Sequence, residues 1–197
     1  MKAIYPSLKG KRVIVTGGAS GIGEGIVEAF AGQGCRVAFV DLNEDAGQLV
    51  SARLSPAPLF RAVDLRDVEN LATTIAEIEA ELGGVDVLVN NAANDDRHEI
   101  ADVTPAYWDD RIATNLRHVF FAAQSVLPGM RKRGSGVILN FGSISWHRGM
   151  AALTLYQTAK AAIEGMTRAL ARDLGQDNIR VTSVIPGNVR TPRCARR

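Results

Sequence analysis

An apolar run, Arg12–Thr16, leads without interruption into Thr16-Gly17-Gly18-Ala19-Ser20-Gly21-Ile22-Gly23, and an amphipathic stretch follows at once. Strand, glycine turn and helix in direct succession leave few architectures open. Glycine lets the main chain take left-handed angles and approach a neighbour closely. The first amides of a helix behind such a turn have no intrahelical partner and point toward an anion. The pattern predicts a βα unit with a seat for a phosphate group at the helix N-terminus.

The same alternation continues along the chain. Gly21–Gln33 reads as a helix stopped by Gly34, Arg36–Asp41 as a second strand, and Glu44 to about Leu54 as a helix broken by Pro56 and Pro58. Leu59–Val63 is a third strand. Val68–Leu82 has apolar residues at 68, 71, 72, 75, 78 and 82, which is helical spacing, and Gly83-Gly84 ends it. Val85–Asn90 reads as a fourth strand. Pro105 suits a first helical turn, and the helix runs from there to about Arg133. After a turn at Gly134-Ser135-Gly136 come a fifth strand at Val137–Phe141, a long helix at Ala152–Leu174 and a sixth strand at Ile179–Ile185.

Strands apolar throughout, alternating with helices, belong to a parallel sheet with helices on both faces. The expected fold class is α/β, a Rossmann-type doubly wound sheet with six recognisable strands. Its ligand crevice lies beyond the carboxyl ends of the strands. Residues 1–187 are expected to form one domain, and residues 188–197 a basic tail that frays.

Charge and cysteine usage narrow the function. The net charge is +2, yet residues 1–187 alone carry −2, because Arg190, Arg193, Arg196 and Arg197 crowd the tail. A basic tail without a folded basic face gives nucleic-acid binding little support. Cys35 and Cys194 are far apart, so neither a disulfide framework nor a zinc site is expected, and reduced thiols fit a cytoplasmic protein. His98, His118 and His147 are not spaced as a metal site. No apolar signal segment opens the chain, and no run approaches the length that spans a bilayer.

Asp41 closes the second strand, eighteen residues past Gly23. An acid there accepts hydrogen bonds from the ribose hydroxyls of a dinucleotide and repels a 2′-phosphate, which favours NAD over NADP. It also reads as a cap for the helix behind it. Tyr156 and Lys160 stand four residues apart in the long helix, so phenol and ammonium share a face. Tyrosine is a poor base at its ordinary pKa of about 10, and a nearby ammonium stabilises the phenolate. The phenolate can then take a proton from a substrate hydroxyl. Ser143, just past the fifth strand, can hold the substrate oxygen in line. Asn115, within the helix after Pro105, can hold a water linking the lysine to solvent. Taken singly, these residues also read as an exposed helix pair, a strand-end turn and a solvent-facing amide. Their order behind a dinucleotide fold points to hydride transfer.

Thr16–Gly23, Asp64-Leu65, Asn90-Asn91-Ala92-Ala93, Asn115, Ser143, Tyr156 with Lys160, and Pro186-Gly187 with Thr191 together resemble the short-chain dehydrogenase/reductase family over nearly the whole chain. The resemblance implies NAD-dependent oxidation of a CH–OH group, with Tyr156 as base and Asn115, Ser143 and Lys160 beside it. It implies cofactor contacts from Gly17, Ser20, Gly21, Ile22, Gly23 and Asp41. Asp64 and Leu65 would flank the adenine, and Asn90, Asn91 and Ala92 would shape the cofactor wall. Tyr156 and Lys160 would meet the nicotinamide end, with Pro186 and Gly187 nearby and Thr191 on the carboxamide. Ala93 stands where the family usually has glycine. Family members continue past this point with substrate-covering helices, a seventh strand and much of a homo-oligomer interface. A short C-terminal end is therefore expected, with the sixth strand as an unprotected edge.

Asn94-Asp95-Asp96-Arg97-His98 follows the cofactor wall, and Ser145-Trp146-His147 follows the serine. A tryptophan face beside hydrogen-bonding groups suits a sugar, and the same residues also read as a polar loop with a packing tryptophan. The candidate substrate contacts are Asn94, Ser143, Trp146, Tyr156 and Asn188. Lys9–Val13, Asn94–His98 and Phe141–His147 resemble sugar-oxidising members of the family. That resemblance implies oxidation of the anomeric C1 hydroxyl of an aldopentose such as D-xylose to the lactone. Two readings stand beside it: a dehydrogenase of another small alcohol or polyol, and a non-catalytic NAD-binding fragment without a substrate lid. A binder of nucleic acid or anionic surfaces has only the tail in its favour.

Overall fold

The computed structural model describes residues 3–191. Arg193, Cys194, Arg196 and Arg197 lie outside the described residues. Six strands, β1 (Arg12–Thr16), β2 (Arg36–Asp41), β3 (Leu59–Ala62), β4 (Val87–Asn90), β5 (Gly136–Phe141) and β6 (Ile179–Val184), form one sheet. Their order is β3-β2-β1-β4-β5-β6, and every neighbouring pair is parallel. The helices are α1 (Gly21–Gly32), α2 (Glu44–Arg53), α3 (Val68–Leu82), α4 (Pro105–Ile112), α5 (His118–Arg133), α6 (Ile144–Arg148) and α7 (Thr154–Leu174). This is the expected Rossmann-type fold, with β6 at one sheet edge among the described residues.

Successive strand residues point to opposite faces, and here both faces are covered over the sheet centre. Val13, Val15, Phe39 and Val89 pack with Val27 and Ala31 of α1 and Val50 of α2. On the other face Ile14, Leu88 and Ile138 meet Ile75 and Ile78 of α3, Met130 of α5 and Leu174 of α7. That double burial explains why the central strands read as continuous apolar runs.

Helix ends are set locally. Asn43, Asp67 and Thr104 open α2, α3 and α4, each side chain accepting a first-turn N–H. The alternative reading of Asp41 as that cap is thereby corrected, since Asn43 fills the position. Gly83 and Gly134 close α3 and α5 in the left-handed region, with φ of +74° and +61°.

Several elements depart from expectation. The helix from Pro105 to Arg133 is interrupted by a π-helical turn at Ala113–Arg117. The long helix begins at Thr154, because Ala152 takes a left-handed φ of +59°. The short helix α6 and the 3₁₀ turns at Pro6–Leu8, Ile100–Asp102 and Gly175–Asp177 are too brief to show a period.

β4 starts at Val87, two residues later than its apolar pattern suggests, because Asp86 is committed to Arg12. The Arg12 main-chain N–H and Nε both donate to Asp86 Oδ2, at 2.9 and 2.8 Å, and Nη2 donates to Oδ1 at 2.5 Å. A further Arg12 nitrogen, Nη1, donates to the Gly83 carbonyl. The fork pins the starts of the two central strands together. The Arg12 guanidinium holds the Asp86 carboxyl down at about 2. A depressed carboxyl contributes stability above its unfolded pKa and loses it as pH falls through the folded value. Asp86→Asn should cost about 2 kcal/mol at neutral pH, and the gap to wild type should close as pH drops from about 4 to 2. Denaturant titrations of both proteins across that range check it.

Candidate active site

The strand order reverses direction between β1 and β4, and the carboxyl ends of the strands open there into a cleft of about 1130 Å³. Gly17, Asp41, Asp64, Asn91, Ala92, Tyr156, Lys160 and Thr191 line this one cleft, and of the residues expected at the cofactor Asn90 alone is buried away from its wall.

The glycine turn is shaped by close approach. Gly17 has φ of +67°, and a Cβ there would stand 2.8 Å from the Ala92 Cα. A Cβ on Gly23 would stand 1.8 Å from the Gly17 carbonyl oxygen. Unlike α2, α3 and α4, α1 opens on a residue, Ser20, whose side chain makes no cap bond. The first-turn amides of α1 are thus left without a side-chain cap. Asp41 Oδ2 accepts the Ala19 N–H and Oδ1 the Asn43 N–H, both at 3.0 Å, which fixes its carboxylate at the end of β2. These residues fit a dinucleotide: a tight anion seat, with an acid where the ribose would lie.

The opposite wall hangs from a buried threonine. Thr16 Oγ1 accepts the N–H groups of Asn91 and Ala92 at 3.1 and 3.2 Å. Asn91 Nδ2 returns to the carbonyls of Thr16 and Gly17 at 3.1 and 3.0 Å. Ala93 lies exposed on the cleft wall. Thr191 lies by the glycine turn, its methyl 3.5 Å from where a Gly21 Cβ would be.

α7 carries Tyr156 and Lys160 into the cleft. Lys160 is 2% exposed, and its Nζ lies 5.6 Å from the centre of the Tyr156 ring. Nζ donates to the Phe141 carbonyl at the end of β5, at 2.7 Å. Burial pushes the Lys160 ammonium down to about 8. Ser143 is the N-cap of α6; its Oγ accepts the Ser145 N–H at 3.1 Å and donates to Ser145 Oγ at 2.9 Å. Asn94, Ser143, Tyr156 and Asn188 all line the cleft.

Two expected side chains lie elsewhere. Asn115 is fully buried in the π turn, not on the cleft wall. Its Nδ2 donates to the Arg111 carbonyl at 3.0 Å, and its Oδ1 accepts the Asn94 N–H at 2.8 Å, so both ends of the amide are engaged by the chain. Trp146 is also off the wall. Its Nε1 donates to Glu164 Oε1 at 2.6 Å, and its ring lies 3.8 Å from that of His147, so its apolar face is turned away from the cleft.

Sequence reading missed Arg66, which lines the cleft beside Asp64 and forks onto Asp64 at 2.6 Å and Asp110 at 2.7 Å. Its position beside Asp64 was the available signal, but ion pairs across loops leave no periodic trace. It missed Glu164 for the same reason. His118 is fully buried and held neutral by that burial, at about 4. Among the described residues no three His, Cys, Asp or Glu side chains are grouped to hold a metal, and no helix is long and apolar enough to cross a membrane.

A parallel α/β sheet with a glycine turn at its switch point is the architecture of dinucleotide-binding oxidoreductases. The family model of the short-chain dehydrogenases matches residues 11–197. The chain is 58% identical to D-xylose 1-dehydrogenase of Caulobacter vibrioides, covering 97% of this chain and 77% of that protein. It is 48% identical to a probable galactose dehydrogenase of Rhizobium meliloti, over 96% of this chain and 75% of the relative. The crystal structure of 3-ketoacyl-(acyl-carrier-protein) reductase from Brucella melitensis, complexed with NADH, superposes with a TM-score of 0.88 at 29% identity, covering 94% of this chain and 78% of that one. The chain belongs to the short-chain dehydrogenase family and is an oxidoreductase.

A lysine whose folded pKa lies below its unfolded value loses its proton first in the folded state, so stability rises with pH between the two values. Lys160→Met removes that term. Relative to this variant, wild type should gain stability as pH rises from about 8 to 10.5, measured by chemical denaturation without cofactor.

Proposed function

We propose that this chain oxidises the anomeric C1 hydroxyl of an aldopentose such as D-xylose to the lactone, with NAD as cofactor and Tyr156 as base. The observation that carries the reading is the meeting, in one cleft, of the β1–α1 glycine turn with Tyr156 and Lys160 of α7. The sugar rests on similarity to the Caulobacter vibrioides D-xylose 1-dehydrogenase. Residues 1–187 serve as one NAD-binding unit with built-in catalytic groups. A buried free thiol, Cys35, fits the cytoplasm.

Gly17, Gly21 and the first amides of α1 hold the pyrophosphate, and Asp41 the adenosine ribose. Bound NAD supplies a hydride acceptor at its nicotinamide ring. Ser143 holds the sugar C1 oxygen by a hydrogen bond. Tyr156 takes the hydroxyl proton as the C–H bond breaks, and the Lys160 cation beside the ring favours the anionic phenol oxygen that this requires. Asn115 contributes indirectly, by fixing Asn94 at the substrate end. The galactose dehydrogenase similarity favours a second sugar, a hexose, on the same chemistry.

Tyr156→Phe should lower turnover by about a hundredfold or more, because it removes the proton acceptor. NAD should still raise the melting temperature of that variant. NADH absorbance with D-xylose, and thermal shift with NAD, measure the two effects; full turnover in the phenylalanine variant would refute the assigned base. Thermal stabilisation of wild type without turnover on any sugar or polyol would leave nucleotide binding alone. NAD should outperform NADP in the same assay, and a preference for NADP would remove Asp41 from the ribose.

A further inference from the structure

Tyr156, Lys160 and Glu164 recur every four residues on α7 and so share one stripe of that helix. The chemistry proposed above uses the first two. Glu164 is half-buried, and its Oε1 is turned toward α6. There it accepts the Trp146 indole N–H at 2.6 Å and lies 3.1 Å from His147 Nε2.

A five-residue helix such as α6 is too short to hold itself. It starts on Ser143, so its seat on α7 governs where the serine hydroxyl lies. Gly142 precedes that serine, and a Cβ there would stand 3.2 Å from Glu164 Oε1 and 3.2 Å from Ser183 Oγ. The carboxylate therefore lies beside the very segment that carries Ser143, with no room between them for a side chain at position 142. On the near side of the serine, Lys160 Nζ holds the Phe141 carbonyl. The segment Phe141–Arg148 is gripped by α7 at two points, one before Ser143 and one after it.

We infer that Glu164 is a positioning residue: through Trp146 and His147 it fixes α6 on α7 and so sets the Ser143 hydroxyl against Tyr156. The inference rests on the roles given to Ser143 and Tyr156 above. A short hydrogen bond from indole to carboxylate is of the strong, charge-assisted kind, suited to hold geometry that tolerates little error.

Steady-state kinetics with D-xylose and NAD on Glu164→Ala, Glu164→Gln and Trp146→Phe test it. Glu164→Ala should lower kcat about tenfold while KM for NAD stays within about twofold of wild type. Glu164→Gln keeps a carbonyl oxygen for the indole and should recover most of kcat. Trp146→Phe keeps an aromatic ring but loses the donor; it should lower kcat as Glu164→Ala does, and the two changes together should cost no more than one. A Glu164→Ala protein with a lower melting temperature and wild-type kcat overturns the inference, as does a glutamine variant no better than alanine. If Glu164→Ala does not fold, wild-type kcat in Trp146→Phe overturns it instead. A wild-type protein inactive on D-xylose refutes the substrate reading rather than this one. The bracket is then read from Trp146 fluorescence in a Trp108→Phe background, where Glu164→Ala should shift the emission and an unshifted spectrum overturns the inference.

Discussion

At the carboxyl edge of the sheet the strands must stop, turn and face a ligand while their last polar groups stay out of water. One row of side chains meets part of that constraint, with Asn90 Oδ1 and Ser183 Oγ left without a partner among the described residues. Thr16, Asn90, Asn140 and Ser183 are register partners across β1, β4, β5 and β6. Asn90 Nδ2 donates to Asn140 Oδ1 at 3.0 Å and to the Val119 carbonyl at 3.3 Å, and Asn140 Nδ2 donates to Thr167 on α7 at 3.0 Å. Buried polar groups are costly alone and stiff when paired. Its hydrogen bonds join β4 and β5 to α5 and α7, and Thr16, beside Asn90 in register, reaches on to Asn91 and Ala92. The glycine turn and the facing wall are thus parts of one rigid body, and the cleft between them inherits its width from the sheet.

The second wall is less comfortable. Lys160 is buried, and burial acts against its charge. An apolar residue there would suit stability better. The ammonium is kept in place by the Phe141 carbonyl and faces the Tyr156 ring. A buried cation on a helix whose nearest inward residues, Leu155, Ala159 and Ile163, are apolar is a departure from good packing. Departures of that kind collect where a site needs a charge.

The same contrast decides what the sequence discloses. β1, the glycine turn, α1 and β2 are legible because each is specified by near neighbours: continuous apolar runs, glycine angles and a strand-end acid. α3 is legible from period and caps together. The π turn at Ala113–Arg117 is hidden, because the residues on either side keep helical composition and the disturbance lies in main-chain bonding. The start of β4 is hidden because Asp86 is recruited by Arg12, seventy-four residues away. Trp146 suited a sugar by composition, yet Glu164, eighteen residues along, takes its indole N–H and turns the ring aside. Residues set by local rules can be read from the chain, whereas those set by one distant side chain cannot.

That division runs through the cleft itself. Its cofactor side is made mainly of main chain: glycines without room for a Cβ, helix amides and N–H groups hung on Thr16. Few sequences satisfy such geometry, so the family signature is strong. The side proposed for substrate is made of side chains on connecting segments: Asn94, Ser143, Met150 and Asn188. The π turn ties the two sides together. Asn115 Nδ2 donates to the Arg111 carbonyl one turn back, and Asn115 Oδ1 in turn fixes Asn94 just beyond the cofactor wall. A loop anchored at its base but free to vary beyond it can change substrate without disturbing the cofactor. On the proposed function, dehydrogenase chemistry is written in the constrained half of this cleft, and the choice of substrate in the half built from side chains.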